Sequence, residues 1–428
     1  MNARDSERMA ALLETMGYEP AANGDDADVV VVNTCSVREK PEHKVYSELG
    51  RYADNKRYRE DMVLVVAGCV AQQGAEELLR RVGHLDIVIG TRELWKLPQL
   101  VEEVLNTGKR FCATEMKDAD LGRLFGAERP PVSGGPTAFV VAMTGCSNFC
   151  SYCVVPRLRG PAISRPRKDI LDEVRELAAA GVREVTLLGQ NVNIYGEEFG
   201  GAAPDFPELL KEVSEVEGIV RVRFVTSHPK DFSDKLIREI ADNSKICEYI
   251  HLPAQAGSNS VLEAMRRGYT VERYLELTEK IRAAIPDAAL SSDFIVGFPG
   301  ETEEDFEETL DLVRQVRYHN IYSFRYSVRP HTRAAKMSPA IPVEERARRL
   351  KKLQGIQNEI TESIMKSYEG KAAEVLMEGP SKTDPNRTTG RTGSNLPVHV
   401  TGKFEPGRLV EIRITRALRH SLEGEVVP

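Results

Sequence analysis

The sequence predicts an α/β protein in three parts: a small doubly wound α/β domain, a full or partial βα barrel, and a small all-β barrel. Three observations predict it. Apolar runs of strand length alternate with amphipathic, helix-like stretches over most of the chain, the pattern of repeated βα units. A polar, Gly- and Pro-rich stretch, GAERPPVSGGP at 126–136, interrupts that alternation and reads as a linker. Beyond a long charged segment the pattern changes to short alternating strands separated by Gly, Pro and Asn. The length agrees, because 428 residues are too many for one ordinary core.

In the first part, DVVVVNTC (28–35), MVLVVAGC (62–69) and LDIVIGT (85–91) read as buried parallel strands, followed by helix-like segments such as AQQGAEELLRRV. Cys35 and Cys69 fall just past the carboxyl ends of two of these strands, where open α/β sheets place their ligands. After the linker, strands are expected at AFVVAM (138–143), EVTLLGQ (184–190), VRFVTS (222–227), EYIHLP (248–253), LSSDFIVGFPG (290–300) and IYSFRYS (321–327). Helices lie between them, as at ILDEVRELAAAG (170–181) and DFEETLDLVRQV (305–316). A charged helix over 342–370 leads out of the barrel toward KAAEVLMEGP, LPVHVTG and RLVEIRITRA, which alternate as strands of a small β-barrel. The domains are therefore placed at 1–125, 136–345 and 364–428.

Hydrophobic residues make up 41% and charged residues 29%, the balance of a soluble globular protein. A net charge of -7 argues against a generally basic nucleic-acid binder but leaves room for a local basic surface. No basic, apolar leader opens the chain and no apolar run approaches the roughly 18 residues of a membrane span, so a cytoplasmic location is expected. Seven cysteines, an odd number at uneven spacing, do not resemble a secreted disulfide framework.

Three of those cysteines, Cys146, Cys150 and Cys153, stand in TGCSNFCSYCVVPRLRG at C-x-x-x-C-x-x-C spacing. Thiolates are soft ligands, and three on one loop can bind three corners of an iron–sulfur cube or most of a tetrahedral zinc site. A structural zinc would want a fourth close ligand, and no further Cys or His follows in the loop. A [4Fe–4S] cluster with one open iron is the more natural reading. Buried structural thiols and a redox C-x-x-C at 150 and 153 are the alternatives.

With Tyr152 before the last cysteine, and at the end of the first barrel strand, this loop resembles the radical S-adenosylmethionine superfamily. NTCSVREKPEHKVYSELG (33–50), AGCVAQQ (67–73), LLGQNVNIYG (187–196), TSHPKDF (226–232), HLPAQAGSNSVLEAMRRGYT (251–270) and DFIVGFPGETEEDF (293–306) further resemble its methylthiotransferases. NTCSVREK is most similar to the branch that acts on isopentenyl-adenosine in tRNA. The last domain resembles the RNA-binding TRAM module. This resemblance implies that Cys146, Cys150 and Cys153 hold a [4Fe–4S] cluster that binds S-adenosylmethionine and generates a 5′-deoxyadenosyl radical. It further implies that Cys35 and Cys69 ligate an auxiliary [4Fe–4S] cluster handling the inserted sulfur; read alone, both could be small core residues.

The implied activity replaces C–H by C–S–CH3 at carbon 2 of the adenosine, with two S-adenosylmethionine equivalents. Sister branches act on threonylcarbamoyladenosine or a ribosomal-protein aspartate, and a non-catalytic iron–sulfur RNA-binding protein is the rival from another class. Tyr152, Gln190, Gln255 and Asp293 are the candidate cofactor-binding residues; the last three end barrel strands, where they could instead bond neighbouring backbone. GFPGE (297–301) can approach an adenine or form an ordinary turn. Arg157, Arg159, Arg165, Arg167 and Lys168, with Lys371, Lys382, Arg387, Arg391, Arg413, Arg416 and Arg419, are candidates for a phosphate track or plain solvated faces. Cys112 and Cys247 read as structural.

The partners implied are tRNA and an electron donor such as flavodoxin or ferredoxin, with no membrane and a monomeric chain. The family's first auxiliary ligand lies on a strand ending in Gly-Cys-Gln-Met-Asn, whereas this chain opens on MNARDSE. The expectation is thus that the third ligand of the second cluster is missing here, and that the chain cleaves S-adenosylmethionine but transfers methylthio groups poorly.

Overall fold

The computed structural model describes residues 1–34, 39–59, 61–116, 121–126, 135–200, 205–382 and 384–427, with only the backbone described over 39–44. The described residues fall into two compact units, 1–133 with 144–147 and 154–165, and 134–143 with 148–153 and 166–428. The cysteine-rich loop therefore contributes to both.

The first unit is built on a parallel sheet of β1 (Val29–Thr34), β2 (Val63–Gly68), β3 (Ile87–Ile89) and β4 (Phe111–Ala113), in the order β1-β2-β3-β4. Four helices cover it: α1 (Asn2–Glu14), α2 (Glu39–Tyr58), α3 (Cys69–Arg81) and α4 (Leu97–Thr107). Side chains alternate across a strand, so β2 splits its apolar run between two cores. Leu64 and Val66 pack with α2 and α3, while Val63, Val65 and Ala67 pack with α1 and α4. Helices on both faces make the unit doubly wound, as the unbroken apolar run of β2 predicts. The short strand β4 was not legible in the sequence, because only three residues of it pair with β3.

The second unit contains six parallel strands in chain order: β5 (Thr137–Val141), β6 (Glu184–Leu188), β7 (Arg221–Val225), β8 (Tyr249–His251), β9 (Ala289–Val296) and β10 (Asn320–Arg325). They pair as β5-β6-β7 and β8-β9-β10, with a bridge from Val222 to Ile246 at the junction, the partial barrel expected from the repeated βα pattern. The helix Glu303–Val316 starts where ETEEDF places it: Thr302 and Asp305 form a reciprocal capping box. The carboxylate of Asp305 also accepts from Ser258 and Ser260, joining the GSNS and GFPGET segments.

After the long helix Val343–Lys366 the chain closes a five-stranded barrel of Ala372–Pro380, Arg387–Thr392, Pro397–Thr401, Leu409–Ala417 and Leu422–Val426. Its core is Val375, Met377, Val398, Val400, Ile412, Ile414 and Leu422. Two arginines fasten it to the amino ends of the partial-barrel strands. Arg221 donates to the carbonyls of Arg391 at 2.7 Å and Glu374 at 2.9 Å, and Arg223 to those of Gly393 at 2.8 Å and Thr392 at 2.7 Å. Arg223 also bonds Glu184 at 2.8 Å, and both side chains are more than nine-tenths buried.

Removing one member of such a pair strands the other charge in a low dielectric. Arg223→Met is expected to cost about 3–5 kcal/mol in denaturant unfolding. It should also open the C-terminal barrel to limited proteolysis; an unchanged cleavage pattern would refute its role as the fastener.

Candidate active site

The second unit holds Cys150 and Cys153 in one tight turn, closed by the Cys153 N–H donating to the Cys150 carbonyl at 3.0 Å. Ser151 anchors that turn. Its N–H donates to the Met265 carbonyl at 3.0 Å, its hydroxyl to the Ala264 carbonyl at 2.8 Å, and its own carbonyl accepts from Ala334 at 2.8 Å. Tyr152 packs into an apolar cluster with Ala256, Leu262, Met265, Phe298 and Tyr326. Burial pushes its hydroxyl well above the ordinary tyrosine range. Both thiols are half-buried and free of disulfides.

Arg267 reaches this turn from behind. Its Nη1 lies 3.4 Å from the Cys150 sulfur and 3.5 Å from the Tyr152 hydroxyl, its Nη2 donates to the Pro253 carbonyl at 2.8 Å, and its Nε to the Tyr269 hydroxyl at 3.1 Å. Burial opposes the charge, and Tyr152, Tyr269 and Cys150 nevertheless hold the guanidinium well above its ordinary value.

Gln190 and Gln255 follow the carboxyl ends of β6 and β8, whereas Asp293, expected at a strand end, lies inside β9, three residues before its last. Gln255 has a positive φ of 74° and is buried; its N–H donates to the Asp293 carbonyl at 2.8 Å and its carbonyl accepts from Ile295 at 3.0 Å. Asp293 is half-buried, with His251 Nε2 at 3.6 Å. Gln190 follows β6, just after Gly189, where a Cβ would stand 2.6 Å from Met143 and 2.8 Å from Val192. The GFPGE segment is no free turn. Glu301, 2% exposed, accepts from the Gly297 N–H at 2.6 Å and from Arg349 Nη1 at 2.6 Å, and a Cβ at Gly297 would meet Arg346 at 2.1 Å.

Sequence reasoning missed the loops after β6 and β7 as sources of buried polar groups. Asn191 Oδ1, Ser227 Oγ, His228 Nε2 and both amide atoms of Asn193 are buried with no hydrogen-bond partner among the described residues. Such atoms are costly unless a ligand or water completes them. His228 and Ser227 stand within TSHPKDF, and a histidine at a barrel-strand end was the signal available.

Burial, then Arg267 and Lys230, lowers the His228 pKa from 6.5 to about 2, so the imidazole is neutral. Its Nδ1 accepts from the Lys230 N–H at 3.3 Å, which leaves the proton on Nε2. A base with a depressed folded pKa contributes stability that is present above pH 6.5 and is lost progressively as pH falls from 6.5 toward about 2. At pH 5 the loss should be about 2 kcal/mol, at about 1.4 kcal/mol per unit. Unfolding of His228→Gln at pH 7 and pH 5 should lack this component; an unaltered pH slope would show that His228 does not carry it.

The first unit presents its own thiol. Cys69 opens α3 after Gly68, whose φ of 89° and crowding (a Cβ would lie 2.3 Å from Asn33 Oδ1) admit only glycine. Cys69 is buried against Val154 and Leu158. Arg159 is also buried and bonds Asp5 at 2.5 Å; burial opposes its charge, while Asp5 and Cys69 hold it above its ordinary value. Cys146 belongs to this unit, its N–H donating to the Gly160 carbonyl at 3.1 Å. Cys35 lies outside the described residues.

Among the described residues no three His, Cys, Asp or Glu side chains converge to hold one metal ion. A cube spreads its thiolates over separate irons and does not need that convergence. Cys247 is buried and its thiol is pushed up to about 11 by burial, as a structural residue should be. Cys112 is exposed on an edge strand, so it is not a core residue.

The basic track is shorter than the sequence implied. Arg159 and Arg165 are buried, Arg167 pairs with Glu212 at 2.6 Å, Lys168 with Asp172 at 2.5 Å, Arg387 with Glu423 at 2.5 Å and Arg391 with Glu378 at 3.0 Å. Lys371, Lys382, Arg413 and Arg419 are exposed and show no ion pair among the described residues.

A partial βα barrel with a thiol turn past its first strand defines a radical S-adenosylmethionine enzyme, and residues 140–313 match the Radical SAM superfamily. Residues 1–90 match Uncharacterized protein family UPF0004, and residues 366–427 match the TRAM domain. The tRNA-2-methylthio-N(6)-dimethylallyladenosine synthase of Carboxydothermus hydrogenoformans is 47% identical over 100% of this chain and 97% of its own length. That of Geobacter metallireducens is 48% identical over 100% and 96%. The chain belongs to the tRNA-2-methylthio-N(6)-dimethylallyladenosine synthase family. Among solved structures, the radical S-adenosylmethionine methyltransferase TsrM from Kitasatospora setae shares the fold, with a TM-score of 0.59 at 15% identity over 77% of this chain and 70% of that one. No helix among the described residues is long and apolar enough to cross a membrane.

Proposed function

We propose that this enzyme methylthiolates carbon 2 of N(6)-isopentenyladenosine beside the anticodon of tRNA, consuming two S-adenosylmethionine molecules. The observation that carries this reading is end-to-end identity of 47% and 48% with the two relatives of that name. Cys146, Cys150 and Cys153 are the ligands of the first [4Fe–4S] group, and Cys35 and Cys69 belong to the auxiliary one. The half-buried soft donors at 150 and 153, with a buried guanidinium at 3.4 Å from one sulfur, suit an anionic thiolate-bound group. When bound, that group supplies the electron that splits S-adenosylmethionine into methionine and a 5′-deoxyadenosyl radical.

The chain's own residues bind and orient. Gln190 and Gln255 from just past their strands, and Asp293 from within β9, face the cofactor, with Tyr152 behind the cysteine turn. The orphaned Asn191, Ser227 and His228 groups offer further bonds to its polar parts. Locked by Glu301 and Arg349, GFPGE presents rigid backbone to a flat base. Domains at 1–125, 136–345 and 364–428 divide sulfur handling, radical formation and RNA binding. A flavodoxin- or ferredoxin-type donor, a monomeric state and a cytoplasmic location complete the proposal.

The test is mass analysis of nucleosides from tRNA incubated with the reconstituted enzyme. A methylthio adduct on isopentenyladenosine supports the assignment; an adduct on threonylcarbamoyladenosine, or on a ribosomal protein, would replace it with a sister activity. RNA affinity should also fall with salt. Alanine at Lys382 or Arg419 is expected to reduce the log–log slope by about 0.7–0.9 for each phosphate that the variant no longer neutralises. An unaltered slope in both variants would move the RNA surface elsewhere.

A further inference from the structure

Arg267 is 5% exposed, and among the described residues no carboxylate pairs with it. A buried cation without a counter-charge is unfavourable; the Pro253 carbonyl bears no charge, and burial keeps the Tyr152 and Tyr269 hydroxyls protonated, so near neutral pH they supply hydrogen bonds and no counter-charge. The Cys150 sulfur at 3.4 Å is the group in reach that becomes anionic when it ligates metal. The backbone is shaped to deliver the side chain there. Arg266 and Gly268 flank it with positive φ of 59° and 73°, and the Arg267 N–H caps the helix Asn259–Ala264 by donating to the Leu262 carbonyl at 3.0 Å.

We propose that Arg267 is a positioning residue that holds a fixed positive charge and an N–H against the Cys150 sulfur, and so raises the reduction potential of the [4Fe–4S] group ligated there. This inference rests on the assignment of Cys150 as a cluster ligand. Reduction adds one electron from a low-potential one-electron donor, taking the core from 2+ to 1+ with no bond broken and no proton moved. The reduced form carries one more negative charge, so a nearby cation stabilises it more than the oxidised form. Arg267 thereby eases the electron transfer that precedes cofactor cleavage. It does so without touching the substrate.

The experiment is an EPR-monitored redox titration of the reconstituted full chain, following the reduced signal that shifts when S-adenosylmethionine is added. At the wild-type midpoint, Arg267→Gln is expected to lower the reduced-to-oxidised ratio about tenfold, equivalent to about 59 mV for one electron. Arg267→Lys, which keeps the charge, should recover most of that ratio. Arg267→Met is the second neutral variant should Gln fail to fold. Unchanged ratios in the neutral variants, with or without weaker S-adenosylmethionine binding, overturn the inference alone. Loss of iron from both neutral variants but not from Arg267→Lys assigns the charge to retaining the group and also overturns it. A wild-type chain with no S-adenosylmethionine-responsive signal removes the Cys150 assignment, and this inference falls with it.

Discussion

Cys150→Ala, Cys146→Ala and Cys153→Ala are each expected to reduce 5′-deoxyadenosine formation from S-adenosylmethionine to background. On the proposed assignment three thiolates would leave a cube one open iron for the cofactor. Two thiolates leave two exchangeable corners and a labile group. The fold should survive. Cys150 and Cys153 are half-buried, and their turn is held by Ser151, Met265 and Ala334 through backbone and hydroxyl bonds that alanine leaves intact. Truncating such a side chain costs about 1 kcal/mol. Chromatographic quantification of 5′-deoxyadenosine, beside thermal unfolding, checks both halves. Wild-type product from any one variant would show that the triad is not the ligand set.

Cys69→Ala is expected to separate the two chemistries. It should leave 5′-deoxyadenosine formation near wild type and remove whatever methylthio product the wild-type chain makes, small as that is expected to be with the third auxiliary ligand missing. Cys69 packs against Val154 and Leu158, and alanine keeps most of that apolar contact, while the bonds that hold the Cys150–Cys153 turn come from Ser151, Met265, Ala264 and Ala334. Arg159 keeps its Asp5 partner at 2.5 Å, which limits the structural cost. Parallel assays of 5′-deoxyadenosine and of modified nucleosides decide the matter. Retained methylthiolation would make Cys69 a core residue at a strand end and nothing more.

The fold was legible where one physical signal dominated. The continuous apolar run of β2 announces a strand buried on both faces, and the six barrel strands announce themselves by spacing. β4 and the strands Arg387–Thr392 and Leu422–Val426 were not legible, because their residues are mostly polar or few and gain strand character from neighbours. The cysteine motif was readable because thiols are rare and their spacing is chemical. Arg267 and Arg159 were not, since a charged residue in a sequence looks solvated until its burial is known. The same blindness made the basic track look longer than it is: a sequence shows arginines but not the carboxylates opposite them.

Arg221 and Arg223 fasten the C-terminal barrel to the amino ends of the strands, while the cysteine turn and the orphaned polar groups follow their carboxyl ends. β6 and β9 between them are five and eight residues long, and at about 3.3 Å per residue such strands separate the two ends by about 17–26 Å. If RNA is held by that barrel and modified at the carboxyl ends, as proposed above, it has to span this gap. On the proposed function that spacing would work as a ruler: a fragment carrying the right nucleoside on too short an arm would meet the chemistry without the grip.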